Sequence, residues 1–283
     1  MNIYTKCYLT KYSDYSDTLN QAKSIDDSKK LLMIAGVAGS WVASSIAGHY
    51  LNSRLQKTPK VNKENINNIL SSQGLPNNFP TFEVKNFDNA AYIDPIHKND
   101  VKDFLYVVGA NRKTTSKDTK NLLESHGAII YDPSFASAGI VSHEGGHAKI
   151  QQDGGLGAFN QSYLRPIGNT FGSFSPLISA LTYKATQSPK LALIAGSVSA
   201  LGYLPTLINE YQATSHANDY LNSPDFSGTD KYNHKKYHKN NLLTAYGTYL
   251  IPPLIASAAM LAQYKLNQDQ RKVIDNYFTD TNF

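Results

Sequence analysis

Two histidines and a glutamate in the middle of the chain have the spacing of a metal site. His143, Glu144 and His147 form the pattern His-Glu-x-x-His. Residues four apart lie on one face of a helix, so both imidazoles can reach the same zinc ion. Glu144 is offset from that pair and can accept a proton from a water that zinc has made acidic, the chemistry that hydrolyses a peptide carbonyl. The chain holds only five glutamates, at positions 64, 83, 124, 144 and 210, so this placement is informative.

The residues around the motif predict one helix from Asp132 to Gln151. Asp132 can cap the first free amides, and Pro133 suits the first helical position because it has no amide to leave unpaired. The pair Gly154-Gly155 marks the exit. The alternative is that the polar residues of the motif are merely solvated or hydrogen-bonded on an amphipathic helix, and a third ligand decides between the two interpretations.

Glu210 is the candidate third ligand. It shares one helical face with three small residues that follow it, Ala213, Thr214 and Ala217. Small residues at this spacing would let the helix that bears Glu210 pack closely on the His-Glu-x-x-His helix. A carboxylate ligand has to lie about 2.0–2.2 Å from zinc, so close packing would serve the chemistry.

The chain before the motif predicts a small sheet. Asn62 to Gln73 has a helical pattern, and short strand-like runs follow at 81–84, 90–93, 104–108 and 128–131. Residues 114–125 favour a polar helix or loop. The edge strand of such a sheet can bind an extended peptide through main-chain hydrogen bonds. The alternative, for any one strand, is that it only covers the helix.

Apolar stretches predict about four membrane-spanning helices. Residues 31–51 carry no formal charge and are long enough to cross a bilayer. Two shorter runs, 167–183 and 191–208, predict a membrane hairpin, and 242–264 predicts a further span that contains Pro252-Pro253. A buried soluble helix and a soluble hairpin are the alternatives for the first two regions. The predicted order is a polar lead-in 1–30, a span 31–51, a catalytic part 52–166, the hairpin 167–208, a third-ligand segment 209–241, a span 242–264 and a tail 265–283.

Composition excludes several classes of protein. The net charge is +5, and the basic residues are scattered without a nucleic-acid-binding motif, which argues against a nucleic-acid partner. The single cysteine, Cys7, excludes an internal disulfide framework and a cysteine-based zinc site. Residues 1–30 lack the apolar core and cleavage site of a signal peptide.

The ordered set of motifs resembles the YugP-like group of neutral zinc metallopeptidases of bacterial membranes. These are gluzincins, and they are more distantly similar to the HtpX and CAAX prenyl protease families. The matching pieces are 143–148 with Gln151, then 163–166, then 204–217, in that order and with an apolar hairpin before the last piece. The Gly145-Gly146 pair is unusual inside a helix, where each glycine costs up to about 1 kcal/mol relative to alanine.

The resemblance implies a mainly helical α+β fold, with a gluzincin-like metallopeptidase domain interleaved with about four transmembrane helices. It implies zinc on His143, His147 and Glu210, with Glu144 as the general base and a protein or peptide as substrate. Arg165 or Tyr163 could stabilise the oxyanion, and an equal alternative is that they anchor the chain at a membrane boundary. We expect a multi-pass zinc-dependent membrane endopeptidase with a cytoplasmic catalytic face. The alternative is a catalytically inactive membrane scaffold or binding protein that retains the fold.

Overall fold

A computed structural model of the chain describes residues 60–221 and 234–280, apart from Asn62, Asp88 and Arg112, together with scattered residues between 20 and 46. The described part is mainly helical and contains a three-stranded sheet, in agreement with the predicted class. Most of the predicted lead-in 1–30, and part of the predicted span 31–51, lie outside the described residues. The described residues of that span are helical.

The chain divides into two compact units. The first comprises residues 1–44, 173–201 and 250–283, and the second comprises residues 45–172 and 202–249. The histidines of the motif and Glu210 all fall within the second unit. The candidate site is therefore built within one body of the protein.

From residue 60 onwards, the second unit has a helix followed by the sheet. Strand β2 (Ala90–Ile93) pairs with β3 (Ala128–Tyr131) in antiparallel register, with Tyr92 opposite Ile129, and β1 (Thr81–Glu83) pairs with the other side of β3 in parallel. The strand order is β1-β3-β2, so β2 is an edge strand. The elements up to β3 are α1 (Lys63–Ser72), β1 (Thr81–Glu83), β2 (Ala90–Ile93), α2 (Val101–Val107), α3 (Lys117–His126) and β3 (Ala128–Tyr131).

The prediction of a strand at 104–108 is wrong, because these residues belong mostly to helix α2. Val101 and Leu105 are buried against Leu123 of α3, whereas Tyr106 and Val107 are exposed. A spacing of four between the two buried residues is the spacing of a helical face. The short apolar run from 104 to 108 does not by itself distinguish a strand from a helix.

The motif helix α4 spans Ala138–Asp153 and begins later than predicted. Ser137 is its N-cap and accepts a hydrogen bond from the Ile140 amide, so the prediction of Asp132 as the cap is wrong. The Asp132 carboxylate instead accepts from the backbone amides of Phe87 and Ser134, which fastens a turn ahead of the helix. The helix ends at Gly154, whose φ of 71° suits glycine, as the sequence predicted.

After α4 the chain is helical almost throughout the described residues. The predicted apolar run 167–183 is interrupted at Phe174, where one helix ends and the next begins. Residues 242–264, the predicted last span, lie inside one long helix. The elements are α5 (Gly155–Phe159), a π-helical turn (Asn160–Leu164), α6 (Arg165–Ser173), α7 (Ser175–Thr186), α8 (Pro189–Ala200), a 3-10 turn (Leu201–Tyr203), α9 (Leu204–Leu221) and α10 (His234–Asp280).

Among the described residues, one helical stretch is long and apolar enough to cross a membrane. It runs from Pro189 to Tyr220, with a mean hydropathy of 1.8 in its most apolar window. Only 22% of that window is buried, so it lacks the burial of a core helix in a soluble protein. This finding does not confirm the prediction of about four membrane-spanning helices.

Helix α4 packs closely on α9 at Gly146, one of the two glycines of the motif. A Cβ on Gly146 would collide with the backbone carbonyl of Ala213 in α9, and a Cβ on Gly145 would collide with the side-chain amide of Gln73. Ala213 and Ala217 are fully buried, which confirms that small residues after Glu210 face the motif helix. Gly146 therefore permits the backbone of α9 to approach α4, and Gly145 leaves room for the Gln73 side chain, at a cost in helix propensity of up to about 1 kcal/mol for each glycine.

Replacing Gly146 by alanine is expected to destabilise the protein by about 1–3 kcal/mol, because the new methyl group meets a backbone carbonyl that cannot rotate away. The measurement is the free energy of unfolding. Gly157→Ala is the matched control, since its Cβ would lie 3.1 Å from a methyl group of the Ile150 side chain, a tight contact that needs only a small shift and involves no backbone atom. Equal stability of G146A and G157A would contradict the role assigned to Gly146.

Candidate metal centre

Three side chains from α4 and α9 converge on one point. The Nε2 atom of His143 lies 3.1 Å from Oε2 of Glu210, and Nε2 of His147 lies 3.8 Å from the same oxygen. One ligand atom from each of the three residues fits within a span of 4.8 Å. Ligand atoms around a tetrahedral zinc are separated by about 3.4 Å, given metal–ligand bonds near 2.0–2.2 Å. The donor set and its spacing therefore fit a metal ion.

The Glu210 carboxylate is held from both sides. Its Oε2 atom faces the histidines, and its Oε1 atom accepts from Nη2 of Arg165 at 3.1 Å. The Glu210 side chain is only 13% exposed, so a charged partner is required to offset its loss of hydration. Arg165 binds Oε1 of Glu210, so Oε2 stays directed at the histidines, where it could bind a metal ion together with them.

The motif glutamate lies in the same cavity as the three donor residues. The cavity has a volume of about 450 Å³, and its lining includes three carboxylates, from Asp94, Glu144 and Glu210, and the guanidinium of Arg165. The Oε2 atom of Glu144 accepts a hydrogen bond from the backbone amide of Tyr92 at 2.6 Å. Glu144 is therefore held beside the candidate metal site by edge strand β2 and is not one of the three converging donors.

Polar side chains hold the far nitrogens of both histidines. Thr214 Oγ1 lies 3.2 Å from Nδ1 of His143, and Gln161 Oε1 lies 3.2 Å from Nδ1 of His147. The Gln161 amide in turn contacts Asp94 and Asn209. Such contacts orient metal-binding histidines and fix which nitrogen carries the proton.

Sequence reasoning did not assign these supporting roles to Thr214, Gln161, Asp94 and Asn209. On α9, Asn209 directly precedes Glu210 and Thr214 lies about one helical turn after it, and Gln161 lies two residues before the Tyr-Leu-Arg-Pro piece. Their proximity to recognised motifs was the available signal. Asp94 follows β2 and carries no signal in the sequence, because only the fold brings it to α4.

The two candidate oxyanion donors differ in position. Arg165 lines the cavity and contacts Glu210. Tyr163 is 61% exposed, its ring packs on Phe159 with centroids 5.4 Å apart, and it is not among the residues that line the cavity. Of the two, only Arg165 is brought to the converging donors.

Comparisons of the chain with known proteins give no match. No family model matches it, and neither does a curated protein or a solved structure. The resemblance of the motifs to a metallopeptidase family therefore stays a prediction, and the function has to be argued from the residues of the site.

Metal binding is expected to weaken on acidification at a higher pH than for an ordinary histidine site. Burial opposes protonation of His143, but the hydrogen bond and charge of the Glu210 carboxylate outweigh it and raise the pKa of His143. A metal needs the neutral imidazole, so protons compete for Nε2 as the pH falls through this raised pKa, which lies above the ordinary value of about 6.5. Zinc affinity measured by chelator competition from pH 5 to 9 checks this. An affinity that is constant down to pH 6 would contradict it.

Proposed function

We propose that the protein is a zinc-dependent endopeptidase that hydrolyses peptide bonds. The observation that carries the proposal is that His143, His147 and Glu210 converge in a cavity that also holds Glu144, a carboxylate outside the donor set. Catalytic zinc sites have three protein ligands and an open position, and two histidines with a glutamate are one of their known ligand sets. When bound at such a site, zinc supplies the Lewis acidity that makes water nucleophilic near neutral pH.

Glu144 has the position that a general base requires. Its carboxylate is fixed by the Tyr92 amide at 2.6 Å, so its orientation does not have to be established during the reaction. In the proposed reaction it accepts a proton from the attacking water as the new C–O bond forms. It then returns that proton to the peptide nitrogen as the C–N bond breaks. Arg165, on the wall of the same cavity, is the proposed donor to the developing oxyanion.

Edge strand β2 is the proposed binding surface for the substrate backbone. Tyr92 directs its amide to Glu144, away from β3, and the amide and carbonyl of one strand residue point to the same side. The edge of β2 that does not pair with β3 therefore faces the cavity, which Ala90, Ala91 and Tyr92 help to line, and its Tyr92 amide is bonded to Glu144. An extended peptide that pairs with this edge would pass beside Glu144, with recognition based mainly on its backbone.

The membrane is the proposed environment of the protein. The apolar stretch from Pro189 to Tyr220 exposes Ile194 at 50% and Val198 at 63%, where a soluble protein would face water. Exposed apolar side chains on a helix of spanning length fit a lipid surface. A multi-pass topology with a cytoplasmic catalytic face extends this proposal and depends on the sequence pattern of the other stretches.

Purified protein is expected to bind about one zinc ion per chain, and His147→Ala is expected to abolish tight binding because a direct ligand is lost. Glu144→Gln should retain zinc and lose peptide cleavage by a factor of at least about 100, since the amide cannot accept the proton. Metal content and cleavage of a denatured-protein substrate are the measurements. His97→Ala and Glu124→Gln are the matched controls, because both residues are exposed and outside the cavity.

Two results would contradict the proposal in different ways. Absence of any metal in the parent protein would exclude the zinc site. Zinc binding without cleavage, together with partner binding that E144Q does not change, would instead favour the alternative of an inactive scaffold that retains the fold.

Single cysteines at exposed positions test the membrane topology. In a background in which Cys7 is replaced by serine, Asn121→Cys in α3 and Lys190→Cys in α8 are expected to react with a membrane-impermeant thiol reagent from opposite sides of the membrane. The expectation follows from a hairpin over residues 167–208, which places its link opposite the catalytic part. Labelling of both cysteines from the same side would contradict the membrane hairpin.

A further inference from the structure

We infer that Gln161 is a positioning residue that holds His147 in the tautomer a metal ligand needs, and that Asp94 and Arg165 set the orientation of Gln161 from its two ends. The inference concerns the proton on the His147 ring. As a device for metal binding it rests on the proposed function, whereas the position of the proton can be measured without any metal.

The first end of the chain of hydrogen bonds is at Asp94. Gln161 Nε2 lies 3.2 Å from Oδ1 of Asp94 and 3.2 Å from the backbone carbonyl oxygen of His147. A backbone carbonyl can only accept a hydrogen bond, so the group that faces it has to be the NH₂ of the glutamine amide. The amide oxygen of Gln161 is thereby directed at the imidazole of His147.

The second end is at Arg165 and leads to the same assignment. Arg165 Nη1 donates to Oδ1 of Asn209 at 2.9 Å, and a guanidinium cannot accept. The NH₂ of Asn209 therefore faces the other way, and its Nδ2 atom donates to Oε1 of Gln161 at 3.1 Å. Two independent neighbours thus require the same orientation of the Gln161 amide.

This orientation of the Gln161 amide determines which ring nitrogen of His147 carries the proton. Its Nδ1 atom lies 3.2 Å from Oε1 of Gln161, which can only accept, so Nδ1 has to carry the hydrogen. In the neutral ring the lone pair then lies on Nε2, the nitrogen that faces Glu210 at 3.8 Å. This is the nitrogen that converges with the other two donors.

Burial makes the arrangement specific. Gln161 is 2% exposed and Asn209 is fully buried, so bulk water cannot replace a lost partner at these positions. Gln161 lies in the π-helical turn Asn160–Leu164, and such turns occur frequently at functional sites. The π-helical turn widens the helix locally. Arg165 directly follows the turn, and both Gln161 and Arg165 line the cavity.

The test uses the full chain labelled with ¹⁵N-histidine, free of metal and at a pH of about 8, where an ordinary imidazole is neutral. Long-range ¹H–¹⁵N spectra report the tautomer, and the His147 signal is identified by its loss in His147→Ala. The parent is expected to show the Nδ1–H form. Gln161→Met, which removes the acceptor at similar size, should shift the population towards Nε2–H and weaken zinc binding about 10–100-fold.

Asp94→Ala provides a second variant if Gln161→Met does not fold. It removes one of the acceptors that orient Gln161 and should shift the tautomer in the same direction by a smaller amount. Gln151→Met is the control, because the hydrogen bond that Gln151 accepts joins it to Ser162, between the same two segments, and not to a histidine. A parent protein in the Nε2–H form, or an unchanged tautomer in both test variants, would overturn the inference. Failure of the parent to bind zinc, with the expected tautomers present, would count against the proposed function alone.

Discussion

The site depends on how closely helix α9 can approach helix α4. Glu210 and the two histidines come from segments more than sixty residues apart, and their donor atoms have to meet within a few ångströms. The approach is set where Gly146 meets the Ala213 backbone, one residue before His147 and three residues after Glu210. A side chain at Gly146 would separate the helices and carry the carboxylate away from the imidazoles. Gly146 lowers the helix propensity of α4, but it allows the close approach of the two backbones that brings the donor atoms together.

Charge imposes the second constraint on the cavity. The residues that line it include three carboxylates and one guanidinium. Burial disfavours ionised groups in general, so this excess of carboxylates is unfavourable. Burial raises the pKa of Asp94, and its hydrogen bond with Gln161 and the charge of Arg165 oppose that effect. The Arg165 guanidinium pairs directly with Glu210, and Glu144 has a backbone amide as its partner. A divalent cation among the converging donors would balance the remaining negative charge, which agrees with the chemistry of the donor set.

The sequence predicts the site better than it predicts the elements around it. The four-residue spacing of the motif and the small residues after Glu210 follow from helix geometry, which is local, and the structure brings these residues together. The prediction of Asp132 as the cap was wrong because its carboxylate accepts a hydrogen bond from the Phe87 amide, and Phe87 is distant in sequence. The strand expected at 104–108 was wrong because a short apolar run has the same appearance in either element. Asp94 could not be found, because no local pattern links it to Gln161.

Helix α9 shows how the candidate site and the proposed lipid surface are combined in one element. Its buried face carries polar or small residues, with Thr206 and Asn209 fully buried, while Leu204 and Ile208 on another face are 52% and 47% exposed. A soluble amphipathic helix has the opposite distribution, with apolar residues inside and polar residues outside. In a membrane protein, polar residues face the interior of the bundle and are functional, and the apolar residues face lipid. The inverted distribution therefore supports both the metal site on the inner face of α9 and a lipid environment on its outer face, because each of them accounts for one side of the same helix.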